Sequence, residues 1–250
     1  MPSDRYFIID ASPSPGETVL LDPGESRHLE KTLRAGTGDP VRLLDGRGGI
    51  FEGRIRGSEK GRTVVEILNV AGTAEPVPVD MAIGLARAHR MDIAVEKCAE
   101  IGIRRILPVR SERSLWKGGR DEERSKVERL VRKVHAACKQ SGNPWLTGIS
   151  DVKTPAELAR IIGGYGCVLV GDASGGRIED LLERHEEGTV SGRGYLGVTG
   201  PEGGFTPEEL EALVSAGASP VSLGSYRLRS ETAATCLAWA LVRSVPARDR

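Results

Sequence analysis

The sequence predicts an α/β protein in which a small β-rich domain precedes a larger domain built on a parallel sheet. Three observations carry that expectation. Short strand-forming runs separated by turn residues fill the chain up to position 72. Beyond position 79, continuous apolar runs alternate with helical patterns, as in strands covered on both faces by helices. Between them lies GTAEPVPV (72–79), which holds two prolines and a single charge, Glu75, as a linker does.

In the first part, strands are expected at 5–9, 41–44, 50–56 and 63–68, with turns at Asp45-Gly46 and Gly57-Ser58-Glu59-Lys60-Gly61. A helix over 25–35 interrupts them and stops at Gly36. The reading is a compact, barrel-like domain over 1–72, a linker at 73–78 and a second domain over 79–250.

In that second domain, strands are expected at 79–86, 103–109, 167–170, 195–198 and 220–223. Helical spacing runs through Met91, Ala94, Val95, Cys98 and Ile101, and again through Val127, Leu130, Val131, Val134 and Cys138. The latter helix places Lys126, Arg129 and Lys133 together on another face. That face is either a phosphate-contacting surface or an ordinary solvated one. The final helical pattern, ETAATCLAWALV (231–242), is apolar on every side after its first turn. Either the core surrounds it or a second subunit covers part of it.

The 250 residues are 39% hydrophobic and 28% charged, an ordinary globular composition that needs no metal or disulfide staple. No apolar run approaches the roughly 20 residues of a membrane span, and the start, MPSDRYFIID, does not read as a secretory signal. A cytoplasmic protein without membrane contact is expected. Cys98, Cys138, Cys167 and Cys236 lack CxxC spacing and read as small core residues, and His28, His89, His135 and His185 lack metal-ligand spacing, so no metal is expected. The zero net charge hides a split. Residues 76–150 hold 15 Lys+Arg against 9 Asp+Glu, while 1–75 hold 10 against 12 and 151–250 hold 10 against 14. A basic middle segment can meet a polyanion even when the total charge is nil.

The most informative stretch is GVTGPEGGFTPEE (197–209). A buried strand ends near Thr199, a glycine-rich turn follows, and Thr206-Pro207-Glu208-Glu209 supplies an N-cap, a proline at N1 and a capping-box glutamate. The loop at 200–205 lies where open α/β sheets bind ligands, and it is either a cofactor cradle or a tight turn with none. LGSYRLRSET (223–232) repeats the arrangement, with Ser230 as an expected N-cap, Glu231 in the first helical turn, and Arg227 and Arg229 at the same mouth of the sheet. Other motifs fail. GDASGG (171–176) has the wrong spacing for a serine nucleophile, and neither GxxxxGK[ST] nor a GxGxxG opening a βαβ unit is present, so nucleotide readings lack support.

GPEGGF (200–205) and LGSYRLRSETA (223–233) closely resemble the two C-terminal signatures of the RsmE-like family of SPOUT methyltransferases. RYF (5–7), RHLEKTLRAGTGDPVRLLDGRGG (27–49), HRMDIAVEKCAEIGIRRILPVRSERS (89–114) and HAACKQSGNP (135–144) extend the resemblance over nearly the whole chain. It implies a PUA-like RNA-binding domain, then a SPOUT α/β domain with a C-terminal trefoil knot, an exception to the rule that chains do not thread loops. It also implies a homodimer that methylates N3 of a uridine in 16S rRNA of the small ribosomal subunit.

The cofactor it implies is S-adenosyl-L-methionine, held by Leu169, Val170 and Gly171; by Thr199, Gly200, Pro201, Glu202, Gly203 and Gly204; and by Leu223, Gly224, Tyr226, Arg227, Leu228 and Thr232. RNA contacts are expected from Arg5, Arg27, Arg34, Arg87, Arg90, Arg113, Lys126, Arg129 and Lys133, and catalysis from Arg229 and Glu231. Two departures from the family pattern touch the RNA side: Asn143 stands where lysine or arginine is frequent, and Arg87-Ala88-His89 replaces Lys-Gly-Asp. Leu228-Arg229-Ser230-Glu231 stands in place of the Ser-Leu-Asn motif of the ribose-methylating branch, which favours base methylation. The competing readings are a non-enzymatic RNA-binding or ribosome-assembly factor, a methyltransferase for another RNA position, and an oxidoreductase for which the dinucleotide fingerprint is missing.

Overall fold

The computed structural model describes residues 6–115, 119–186 and 194–245, without the side chains of 120 and 183–186. Arg5 and the side chain of His185 lie outside the described residues. The chain forms two compact units. One is Met1–Pro76 with His135–Leu146, and the other is Val77–Val134 with Thr147–Arg250.

The first unit is built on a five-stranded sheet in the order β1 (Tyr6–Ile8), β3 (Pro40–Leu44), β4 (Gly49–Glu59), β5 (Arg62–Thr73), β2 (Thr18–Leu20). β1 and β3 run parallel; the other neighbours are antiparallel. Alternating side chains of these strands, with Phe7, Leu43, Phe51, Val65 and Ile67 among them, make its core together with Leu21 and Leu29. The helix expected over 25–35 is shorter and starts earlier. Asp22 Oδ1 accepts from the amides of Gly24 and Glu25, Pro23 sits at the first helical position of α1 (Pro23–Arg27), and a π-helical turn, His28–Thr32, follows.

The segment His135–Leu146 joins this unit by hydrogen bonds. Trp145 Nε1 donates to the Ala74 carbonyl at 2.8 Å, and the Gly48 amide donates to the Pro144 carbonyl at 3.0 Å. Lys139 pairs with Glu25.

The second unit carries a six-stranded, wholly parallel sheet. Its order is β11 (Ser219–Ser222), β9 (Cys167–Arg177), β10 (Tyr195–Thr199), β6 (Val79–Gly84), β7 (Arg105–Val109), β8 (Gly148–Ile149). Of the apolar runs read as doubly buried strands, β6 and β10 are buried throughout, whereas β11 buries only Val221. Against one face pack α4 (Pro155–Ile162) and α6 (Pro207–Ser215), through Leu158, Ile162 and Leu213. α2 (Ala88–Ile101) and α7 (Ser230–Ser244) pack on each other, and α7 also lies against β6 and β10. At the start of β6, Asp80 is fully buried. Its carboxylate accepts from Arg104, Arg105 and Tyr165, the last at 2.7 Å. Burial, with that hydrogen bond, pushes the Tyr165 phenol up to about 12.

Two expectations are corrected in this unit. The expected N-cap Ser230 is the first helical residue of α7, and the cap position falls to Arg229, whose backbone is extended at φ −70° and ψ 154°. Of the two alternatives for α7, the core of this chain does not surround it: Thr232, Cys236 and Trp239, at i, i+4 and i+7, form an exposed stripe, and Trp239 keeps 59% of its surface accessible. Cys236 is therefore not a core residue, whereas Cys98, Cys138 and Cys167 are buried. Among the described residues no helix is long and apolar enough to cross a membrane.

Candidate functional site

Three segments meet beyond the last β9–β10 pair: β9 at Gly171, the loop after β10 and the loop after β11. A Cβ built on Gly171 would lie 3.6 Å from Leu223 Cδ1 and 3.8 Å from Thr199 Cγ2, so one residue of each segment touches the same point. Leu169 and Val170 are buried sheet residues, and Gly171, just past the last β9–β10 pair, is the first of that group to show surface.

The glycine loop after β10 is rigid for identifiable reasons. At its far end Thr206 caps α6: its Oγ1 accepts from the Glu209 amide at 3.2 Å, and Glu209 Oε2 accepts from the Thr206 amide at 3.0 Å, with Pro207 at the first helical position. Within it the Gly204 amide donates to the Pro201 carbonyl at 2.8 Å, a turn that requires the positive φ of Gly204, +70°. Arginines hold its carbonyls. Arg113 Nη1 donates to the Gly203 and Phe205 oxygens at 3.3 and 3.2 Å, and Arg227 Nη2 donates to the Glu202 oxygen at 3.1 Å. Glu202 Oε1 accepts from the Arg87 amide at 3.1 Å and lies 3.6 Å from Arg90 Nε.

Two buried polar atoms, Thr199 Oγ1 at the end of β10 and Glu202 Oε2 in the loop, have no hydrogen-bond partner among the described residues. Burying a polar group without a hydrogen bond is costly, so such atoms mark a place where a ligand group completes the site.

The second signature runs along the same opening. Leu223 and Leu228 are half-buried, Gly224 is exposed with φ +146°, and Tyr226 keeps 87% of its surface accessible. Arg229 is exposed, and among the described residues its guanidinium has no hydrogen-bond or ion-pair partner. Glu231 does not reach Arg229. Its Oε2 is 3.3 Å from Ser230 Oγ and 3.8 Å from Arg90 Nη1.

The residues expected to contact RNA separate into two groups. Arg27, Arg34, Arg87 and Lys133 are exposed, and Arg34 adopts an uncommon left-handed backbone at φ +53°. Arg90 and Arg113 are engaged with the glycine loop as described, while Lys126 pairs with Glu122 and Arg129 with Asp92. The cationic face of α3 (Arg120–Ser141) is thus partly neutralised by its own neighbourhood. Asn143 holds the turn after α3, accepting from the Trp145 amide at 3.0 Å.

No group of three or more His, Cys, Asp or Glu side chains able to hold a metal occurs among the described residues. Burial pushes the thiols of Cys98 and Cys167 up to about 12 and about 11, which leaves them protonated and unreactive.

Sequence reasoning missed Gly84, which ends β6 against the loop: a Cβ there would fall 2.5 Å from Pro201 Cδ and 2.6 Å from the Gly200 carbonyl carbon. The only signal was a glycine at the end of an apolar strand. It also missed that Glu202 docks on the start of α2, a contact between residues 115 positions apart.

Residues 73–242 match a family described as the RNA methyltransferase domain. Among curated proteins, the chain is 29% identical over 219 residues to ribosomal RNA small subunit methyltransferase E of Synechocystis sp., a match covering 87% of this chain and 70% of that protein. The Mycobacterium tuberculosis protein of the same name is 28% identical over 237 residues, covering 91% and 87%. Among solved structures, ribosomal RNA small subunit methyltransferase E from Neisseria gonorrhoeae bound to S-adenosyl methionine superposes with a TM-score of 0.81 at 26% identity, covering 94% of this chain and 95% of that one.

Proposed function

Because the chain belongs to the RNA methyltransferase domain family, we propose that it uses S-adenosyl-L-methionine to methylate N3 of a uridine in 16S RNA of the small ribosomal subunit. The observation that carries the reading is the convergence of Gly171, Thr199 and Leu223 beside two buried polar atoms that have no hydrogen-bond partner among the described residues. Relatives of this chain are named ribosomal RNA small subunit methyltransferase E, and a structural neighbour of that name holds S-adenosyl methionine.

When bound, S-adenosylmethionine supplies a methyl group on a positively charged sulfur. Glu202 and Thr199 would hold it through the oxygens that lack protein partners, with the main chain of 169–171, 200–204 and 223–228 around them. Tyr226, Arg227 and Thr232 border the same opening.

Uridine N3 is a nucleophile only after it loses its proton. The partner-free guanidinium of Arg229 stabilises the charge that then develops on a uracil carbonyl oxygen. Glu231, two residues further and only 13% exposed, is the proton acceptor. The base must be unpaired or turned out of its stack to reach them.

In this reading residues 1–72 are a PUA-like RNA-binding domain, 73–78 a linker and 79–250 a knotted SPOUT domain. The exposed cations Arg27, Arg34, Arg87 and Lys133 are its phosphate contacts. The protein works in the cytoplasm as a homodimer whose second copy covers the bare stripe of α7. A groove of about 510 Å³ beside that stripe, lined by Ile101, Ile178, Leu223 and Trp239, is the apolar surface available for it. Calorimetric titration with S-adenosylmethionine and with NAD tests the cofactor assignment: heat with the first alone is expected, and heat with NAD alone contradicts it.

A further inference from the structure

We infer that Arg90 is a positioning residue for methyl transfer: it ties the glycine loop to the helix start that carries Arg229 by pairing with Glu202 and Glu231 at once. The inference rests on the methyltransferase reading above and concerns how its site is held together.

α2 begins without an ordinary cap. Arg87 occupies the N-cap and makes no side-chain cap hydrogen bond. The third helical position, where a glutamate would reach back to the N-cap amide, is Arg90. Glu202 takes the missing part from 115 positions away. Its Oε1 accepts from the Arg87 amide at 3.1 Å and sits 3.6 Å from Arg90 Nε. The partial positive charge of the helix N-terminus favours a carboxylate there. The same guanidinium reaches the other signature, with Nη1 3.8 Å from Glu231 Oε2 in the first turn of α7.

The three side chains are 28%, 18% and 13% exposed, so solvent screens them less than it would an open surface pair. One guanidinium between two carboxylates is therefore a joint. Without it, Glu202 and Glu231 would keep two partly desolvated negative charges near each other, which repel. Arg229 is the residue before α7 and Glu231 its second residue, so any shift of the helix start moves the Arg229 guanidinium relative to the glycine loop. A misplacement of about 1 Å can cost on the order of a hundredfold in rate. An arginine that merely contacts RNA would have no reason to be shared between two internal carboxylates.

The test compares turnover at saturating small-subunit RNA with RNA affinity for Arg90→Met and Arg90→Lys, and repeats Arg90→Met in a Glu231→Gln background. Arg90→Met keeps the apolar stem. Its turnover is expected to fall by about tenfold or more, with RNA affinity within about twofold of the parent. Arg90→Lys, which can serve one carboxylate, recovers part of the loss. In the Glu231→Gln background, adding Arg90→Met should lower turnover by a smaller factor than it does in the parent, because one of the two pairs it breaks is already gone.

Wild-type turnover in Arg90→Met, a loss confined to RNA affinity, or losses that multiply in the double variant would each overturn the inference. Should Arg90→Met not fold, Arg90→Lys decides: reduced turnover at unchanged RNA affinity supports the joint, and wild-type turnover overturns it. A parent protein that methylates no small-subunit RNA is a different result, which sinks the methyltransferase reading itself.

Discussion

Gly84 and Pro201 are packed backbone to backbone: a Cβ on the glycine would come within 2.5 Å of the proline Cδ. The end of β6 therefore acts as the floor on which the glycine loop rests. The loop's height above the sheet is set by the absence of a side chain at position 84.

Gly84→Ala should raise that loop. Overpacking of this kind costs about 1–3 kcal/mol, and if the loop absorbs it the affinity for S-adenosylmethionine falls by roughly tenfold or more. Calorimetry with the cofactor measures it. Unchanged affinity would show that the loop's position does not control binding.

Arg229→Ala should separate chemistry from binding. Removing one donor from a developing oxyanion costs on the order of a hundredfold to a thousandfold in turnover. Cofactor affinity should stay near that of the parent, because among the described residues the Arg229 guanidinium bonds to no part of either loop. Steady-state methylation and calorimetry on the same preparation read the two quantities. Equal losses would make Arg229 a binding residue.

Much of this architecture is legible in the sequence because it is local. Thr206-Pro207-Glu208-Glu209 encodes its helix start within four residues, and the cap forms as expected. β6 and β10 announce themselves as apolar runs because both faces of a parallel sheet are covered. What escapes notice is set by partners far along the chain. The segment 135–146 begins as the end of a helical pattern, and partners as distant as Glu25, Gly48 and Ala74 draw it into the first unit. Arg90, Arg113 and Arg129 read as free cations, because a charge pattern shows the arginine but not the Glu202, Gly203 carbonyl or Asp92 that it meets. Ser230 is the better capping residue by type, yet the extended backbone at Arg229 moves the cap one position earlier.

His135 should impose a pH dependence on stability. Burial, and then the charge of Lys139, hold its pKa below the usual histidine value of 6.5. Below 6.5 the unfolded chain binds a proton that the folded imidazole resists, so stability falls as pH drops from that value toward the lowered one. Urea midpoints at about pH 8 and about pH 5.5 should differ less in His135→Gln than in the parent. An identical difference would assign the acid sensitivity to other groups.

Trp239→Glu should yield a monomer. The stripe of Thr232, Cys236 and Trp239 is exposed in a single chain, and a carboxylate placed on it would be desolvated by a second copy. Sedimentation equilibrium is expected to show a dimer for the parent and a monomer for the variant. A monomeric parent would remove the second copy from the account.

Methyl transfer to a uridine base has a decisive assay. Small ribosomal subunits from a strain lacking the activity, incubated with this protein and methyl-labelled S-adenosylmethionine, should yield labelled N3-methyluridine on nucleoside analysis of the 16S RNA. Label recovered in another nucleoside, or none in the RNA while the cofactor binds, would contradict it.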